Sequence, residues 1–422
     1  MSQKSLRANF LALGSIQGMN YLVSFMTLPY LARILGVEVF GKYSLVQIMM
    51  GYLMILTEWG FKWSGTRRIA SMRHDLKEVS RTFMAIWCAQ LMLGAIVALG
   101  LIVTVRSLQV LGGDWVLYLF GFTMVIGNLL MPSWLFEGLE YMREIAIFDF
   151  IGRVVPLPFL FIFVKKPDDV ALALGIIGCG QIVSGALSMI WIHTNKVVVW
   201  ESPKLCLIYE ALREGGGFFI TKVSTNAYNF LTPIILGSIS GAVAVGYFNL
   251  ANKLRMVGQS LLLPVSQTLF PRMSHLYTHD REAANTLIWR SSALVVLIAL
   301  PVCMVMLLNS TILVVALGGR EFIPAAAIVK WLSFIPLFFA FTNVFGVQVM
   351  IPNSMGKIFN VIVGLVAIGS MMLIKPFILM NGPVGAAMLM FFTELLITLM
   401  LGIYVLKTGL LKIPTIVNPA KS

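Results

Sequence analysis

The chain has 422 residues, of which 59% are hydrophobic and only 12% charged, with a mean hydropathy of +0.89. Soluble domains are about 45–50% apolar and about 25% charged, and hiding this much apolar surface in water needs a larger core than single domains build; an ordinary aqueous protein is excluded. The net charge of +13 would point to nucleic acid in a soluble chain, but here it first calls for positively charged cytoplasmic loops.

Hydropathy, punctuated by charges, Gly and Pro, predicts an all-α polytopic membrane protein with twelve spans. They fall near residues 8–34, 40–64, 82–105, 114–136, 145–164, 171–193, 215–237, 242–270, 286–308, 324–350, 356–379 and 383–406. Lys4 and Arg7 before the first apolar run imitate a signal peptide, but that run is far longer than a cleaved h-region and reads as a retained helix. Lys253 and Arg255 interrupt the eighth span, which makes its limits the hardest to place. An even number of spans puts both termini on one side. That side and its loops hold eighteen Lys and Arg against seven on the other, so the termini are expected in the cytoplasm.

Gly36-Val-Glu-Val-Phe-Gly41-Lys-Tyr43-Ser-Leu45 echoes Gly241-Ala-Val-Ala-Val-Gly246-Tyr-Phe248-Asn-Leu250 at an offset of 205 residues, and Pro29 and Pro233 lie at similar places upstream. This predicts two six-helix lobes around a central cavity, residues 1–193 and 215–422, joined by a cytoplasmic linker over 194–214. Halves sharing one orientation match the parallel-repeat plan of transporters.

Enzyme signals are weak. No G-x-x-x-x-G-K-[ST] occurs, and Cys88, Cys179, Cys206 and Cys303 form no C-x-x-C, so neither a metal site nor a disulfide framework is expected. His275 and Asp280 have the H-x4-D spacing of some acyltransferases, but in a charged loop that reads as solvated. Glycines such as Gly14 and Gly18 suit close helix packing, and the prolines within spans suit kinks.

The intramembrane charges are more informative, because an ionisable group at the centre of a span costs roughly 2.5–3.5 kcal/mol and usually faces a partner or a wet cavity. Glu58 with Lys62, and Asp149 with Arg153, have i, i+4 spacing in the favoured acid-first order and are expected to pair. Lys222, Lys253, Arg255 and Lys330 have no acid within four residues, and Glu394 is an isolated acid in the last span. Lys222 and Lys330 lie near span ends, where they can snorkel; Lys253 and Arg255 lie deeper. Leaving both unpaired in lipid would cost on the order of 5–7 kcal/mol, which a water-filled, cationic cavity avoids. Lys253, Arg255 and Lys222 are therefore the candidate substrate-binding residues, with Glu58, Lys62, Asp149, Arg153, Lys330 and Glu394 as candidate lumenal or gating charges. Such a cavity favours a phosphorylated head group over a cationic drug.

Five blocks resemble one family. Thr27-Leu-Pro-Tyr-Leu-Ala-Arg33-Ile-Leu-Gly36 with Phe40-Gly41-Lys-Tyr43, Glu58-Trp-Gly60-Phe61 with Thr66-Arg67-Arg68-Ile-Ala70, Pro132-Ser-Trp134-Leu-Phe-Glu137-Gly138, and Glu214-Gly-Gly-Gly-Phe-Phe219 are similar to landmarks of bacterial polysaccharide (O-antigen) flippases. Val245-Gly-Tyr-Phe248-Asn-Leu-Ala-Asn-Lys253-Leu resembles that family's eighth-helix block, in which a cation is often present at the position of Lys253. Trp59, Glu137 and Pro233 depart from its pattern. The family belongs to the multidrug/oligosaccharidyl-lipid/polysaccharide exporter superfamily. The resemblance implies a non-enzymatic flippase of the bacterial inner membrane moving an undecaprenyl-diphosphate-linked oligosaccharide to the periplasmic leaflet, without a resident cofactor and with proton or sodium coupling left open. It further implies membrane lipids, a glycan polymerase and a chain-length regulator as partners, and no nucleic acid. An ion-coupled antiporter for drugs or small solutes is the alternative on the same fold, and would require lumenal acids in place of bases.

Overall fold

A computed structural model describes residues 3–107, 114–262 and 279–411 together with Leu269, Met273, Leu276 and Tyr277; side chains 3–22, 24, 25, 106, 107, 221 and 224–228 are excepted. The packing role of Gly14 and Gly18, and the assignments to Pro264, Arg272 and His275, lie outside what is described. The described residues form helices and no strands, as a bilayer requires of a chain that must satisfy its own backbone groups. Nine stretches among them are long and apolar enough to cross a membrane. The chain divides into two compact units, Met1–Phe230 and Leu231–Ser422.

Three of the expected inter-span connections are not loops. The helix α1 (Gln3–Glu58) runs through the first two spans and is broken only at Gly36 (φ 68°, ψ 173°). α9 (Leu205–Ser260) runs through the seventh and eighth and is broken only at Gly241 (φ 78°, ψ 178°). Gly36 and Gly241 are the paired positions of the sequence echo, and both adopt a backbone region open essentially to glycine alone. Pro29 and Pro233 lie within the same two helices, and Tyr43 and Phe248, again paired, are both buried. The weak sequence repeat is thus a repeat of local geometry. The last helix, α14 (Gly356–Lys407), is broken in the same manner at Gly382, just before Pro383. Nor do Lys253 and Arg255 interrupt the eighth span: α9 continues past both to Ser260.

In the first unit, α2 (Phe61–Ser71), α3 (Leu76–Ser107), α4 (Trp115–Leu130), α5 (Ser133–Gly138), α6 (Met142–Val154), α7 (Pro156–Phe163) and α8 (Val170–Thr194) follow α1. α4 and α8 approach so closely along a glycine seam that a Cβ on Gly127 would lie 2.6 Å from that of Gln181, and one on Gly178 2.8 Å from that of Thr123. Small residues drive helix association in lipid in this way, by letting backbones meet. Tyr30 fixes α1 against the end of α7, its hydroxyl donating to the carbonyls of Phe161 (3.2 Å) and Val164 (2.6 Å). Lys42 pairs with Asp114 at 3.1 Å.

In the second unit, α10 (Arg281–Leu308), α11 (Ser310–Gly318), α12 (Ala325–Leu332) and α13 (Ile335–Thr342) precede α14. Asp280 caps α10 by accepting the Ala283 N–H at 2.9 Å, the ordinary N-cap role of an aspartate, which accounts for it without acyltransfer chemistry. The tenth expected span is segmented: α12, then α13 with Pro336 in its first turn, then a π-helical turn over Asn343–Met350. Its neighbours are held by interhelical hydrogen bonds, Ser291 to Gln348 at 2.8 Å and Thr342 to Thr398 at 3.1 Å.

Candidate functional site

In the first unit, three of the sequence blocks meet on α2. α1 ends at Glu58, and the chain turns through two left-handed residues, Trp59 (φ 45°) and Gly60 (φ 76°), into α2. Positive φ is unusual for a tryptophan, and its surroundings hold it there. The indole N–H donates to the Leu212 carbonyl at 2.9 Å, and the ring stacks on Phe219 with centroids 4.1 Å apart and planes 16° from parallel. Gly60 lies against the Glu214–Phe219 block: a Cβ there would sit 2.6 Å from the Gly215 carbonyl oxygen and 2.8 Å from the Phe219 nitrogen.

Charges close this junction. Lys222 Nζ lies 2.5 Å from Glu58 Oε2, with both side chains mostly buried, while Glu58 Oε1 is buried without a hydrogen-bond partner among the described residues. Lys62 pairs with Glu137 Oε1 at 3.4 Å, and Arg68 lies 3.3 Å from Glu210 and 3.5 Å from Glu214. The Arg67 guanidinium stands 5.9 Å from the Phe218 ring centroid. Trp134 and Gly138 of the third block pack on α2, against Gly65 and Ile69. Two of the three departures from the family pattern, Trp59 and Glu137, are therefore contact residues of this junction. A small pocket beside it is lined by Arg68, Arg81, Glu78 and Glu214; with two charges of each sign it offers no net attraction to an anion.

The predicted Glu58–Lys62 pair is corrected: Glu58 takes Lys222 and Lys62 takes Glu137, because the turn at Trp59-Gly60 ends α1 and breaks the helical spacing. Asp149 and Arg153 do pair, at 3.1 Å. Lys222, grouped by sequence with the unpaired cations, has a partner 164 positions away. Lys330 is exposed on α12 and Glu394 half-buried on α14.

The second unit holds the remaining cations. Arg255 is only 6% exposed, and among the described residues it is the one buried side chain of the Asp, Glu, Lys and Arg set. Its Nε donates to Asn252 Oδ1 at 2.8 Å and its Nη1 to Gln259 Oε1 at 2.9 Å. Lys253 is half-buried. Among the described residues no carboxylate lies within ion-pair distance of either. Sequence reasoning found both cations but missed the two amides beside Arg255.

A two-unit, all-helical membrane protein whose helices break at paired glycines and carry buried charge has the architecture of a multi-pass transporter. Its fold is similar to that of the lipid II flippase MurJ in an inward closed conformation (TM-score 0.77, 14% identity, covering 94% of this chain and 87% of that one). It is also similar to a multidrug resistance MATE family transporter of the MOP superfamily in an inward-facing conformation (TM-score 0.68, 13% identity, 92% and 98%). By sequence, the chain is 30% identical over 411 residues (96% of this chain, 98% of the relative) to a candidate O-antigen transporter of Escherichia coli (strain K12). It is 28% identical over 397 residues (93% and 98%) to one of Shigella dysenteriae. The polysaccharide biosynthesis protein family matches residues 6–277. The chain belongs to that family, whose relatives here are transporters and not enzymes.

Proposed function

We propose that the protein is a flippase that carries an undecaprenyl-diphosphate-linked oligosaccharide from the cytoplasmic to the periplasmic leaflet of the bacterial inner membrane. The family and its relatives support a lipid-linked polysaccharide as the cargo class; the charge chemistry of α9 supports the diphosphate. The observation that carries the reading is the absence, among the described residues, of any carboxylate pairing with Lys253 or Arg255. Charges in a membrane persist beside polar partners or water, and a diphosphate offers several oxygens to the donors of this pair. A cationic drug would be repelled by the same pair. Lys253, the more accessible, makes first contact with the head group; Arg255 contributes a fixed positive charge two positions away. Lys222, held by Glu58, serves the first unit's junction.

In this reading the nine apolar stretches, divided at Gly36, Gly241 and Gly382, give twelve spans with both termini cytoplasmic. The two six-helix lobes fall at 1–193 and 215–422, and access alternates, driven by a proton or sodium gradient, with a glycan polymerase and chain-length regulator receiving the product. Replacing Lys253 by Ala tests the cargo assignment. Glycan export is expected to be lost while folded protein remains in the membrane; export at the wild-type level overturns the assignment.

A further inference from the structure

Apart from Lys253, the half-buried cations among the described residues each meet a carboxylate: Lys42, Arg68 and Lys222. Arg255 is more deeply buried than any of them and meets none among the described residues, where its two hydrogen bonds go to the neutral amides of Asn252 and Gln259, three residues before and four after it on the same helix. These spacings place all three side chains on one face of α9. An amide oxygen accepts the same N–H that a carboxylate oxygen would and fixes the guanidinium in the same place, but it cancels no charge. Two of the five guanidinium N–H groups are used, and the remaining three have no acceptor among the described residues.

We infer that Asn252 and Gln259 are positioning residues that hold Arg255 rigid while leaving its positive charge whole, so that it acts on the diphosphate of the cargo. This rests on the flippase reading given above. A purely structural pair of hydrogen bonds would be improved by an acid at either position, since a charge-assisted bond is stronger than a neutral one. A charge-keeping clamp would be defeated by the same change.

The test uses two isosteric substitutions, Gln259→Glu and Asn252→Asp, in the full-length protein purified in detergent. Binding of farnesyl diphosphate is titrated with farnesol as a control, alongside the thermal midpoint. The expected result is an affinity for farnesyl diphosphate weakened about tenfold by either acid, with farnesol binding unchanged and the midpoint equal to or above wild type. Diphosphate binding at wild-type strength in a folded Gln259→Glu or Asn252→Asp protein overturns the positioning role. Arg255→Ala distinguishes the layers of the argument. If it weakens diphosphate binding while both acids do not, the clamp is wrong and the cargo site stands. If wild type fails to prefer farnesyl diphosphate over farnesol, the flippase reading fails and the clamp with it.

Discussion

The pairing of Glu58 with Lys222 can be measured by a double-mutant cycle. Their side chains are 19% and 25% exposed, and one oxygen of the carboxylate is buried without a partner among the described residues. Removing one member of a fully buried pair costs about 3–5 kcal/mol, because the other charge is left uncompensated; the residual exposure here brings the expectation to about 2–3 kcal/mol for Lys222→Met. Glu58→Gln alone removes the carboxylate facing the ammonium and costs a comparable amount. The double variant strands neither charge, so its cost falls well below the sum, giving a coupling of about 1–3 kcal/mol. Unfolding of the four proteins by SDS in mixed micelles supplies the numbers, and glycan export in cells supplies a second reading. With Lys222 assigned to the junction, the double variant recovers export that the single variants lose. Strictly additive stabilities would refute the pairing, and a double variant folded like wild type but inactive would return Lys222 to cargo binding.

Three further outcomes follow from the backbone. Gly60→Ala forces a Cβ to within 2.6 Å of the Gly215 carbonyl oxygen and adds a left-handed penalty of about 1–2 kcal/mol; the variant should unfold at lower denaturant or fail to accumulate, whereas Gly216→Ala, which meets nothing within 4 Å, should behave as wild type in the same assay. Gly241→Ala also meets nothing within 4 Å, so its cost is conformational alone, about 1–3 kcal/mol, read as a lowered midpoint in SDS unfolding. Gly178→Ala, with its Cβ set against Thr123 in the α4–α8 seam, should lower the midpoint too, and a companion Thr123→Ala should restore part of it.

Much of this architecture was legible because hydropathy registers what the bilayer selects. The apolar runs separated by Gly36, Gly241 and Gly382 were already apparent as separate spans, and the Gly36/Gly241 echo was visible because a conformation closed to other residues fixes glycine at both places. What hydropathy does not carry is hydrogen-bond continuity, so single broken residues in α1, α9 and α14 read as short loops. The segmentation of the tenth span into α12, α13 and a π turn was hidden for the same reason, although Pro336 marks its place. Local spacing rules succeed within one helix, as for Asp149 and Arg153. They fail across a turn, where Trp59 and Gly60 reverse the handedness and send Lys62 to Glu137. The Glu58–Lys222 pair spans 164 positions, beyond any spacing rule, yet the blocks 58–61 and 214–219 that frame it had both stood out as family landmarks. Arg255 was found as a deep charge. Its amides escaped notice because Asn and Gln carry no signal in a charge count.

The most direct test of the cationic reading is leaflet exchange in liposomes holding purified protein and a fluorescent short-chain polyprenyl-diphosphate disaccharide. Wild type should move this probe and not its uncharged counterpart lacking the diphosphate, and Lys253→Ala or Arg255→Ala should abolish the movement while the protein stays folded. Equal transport of the two probes, or undiminished transport by both variants, would contradict the account.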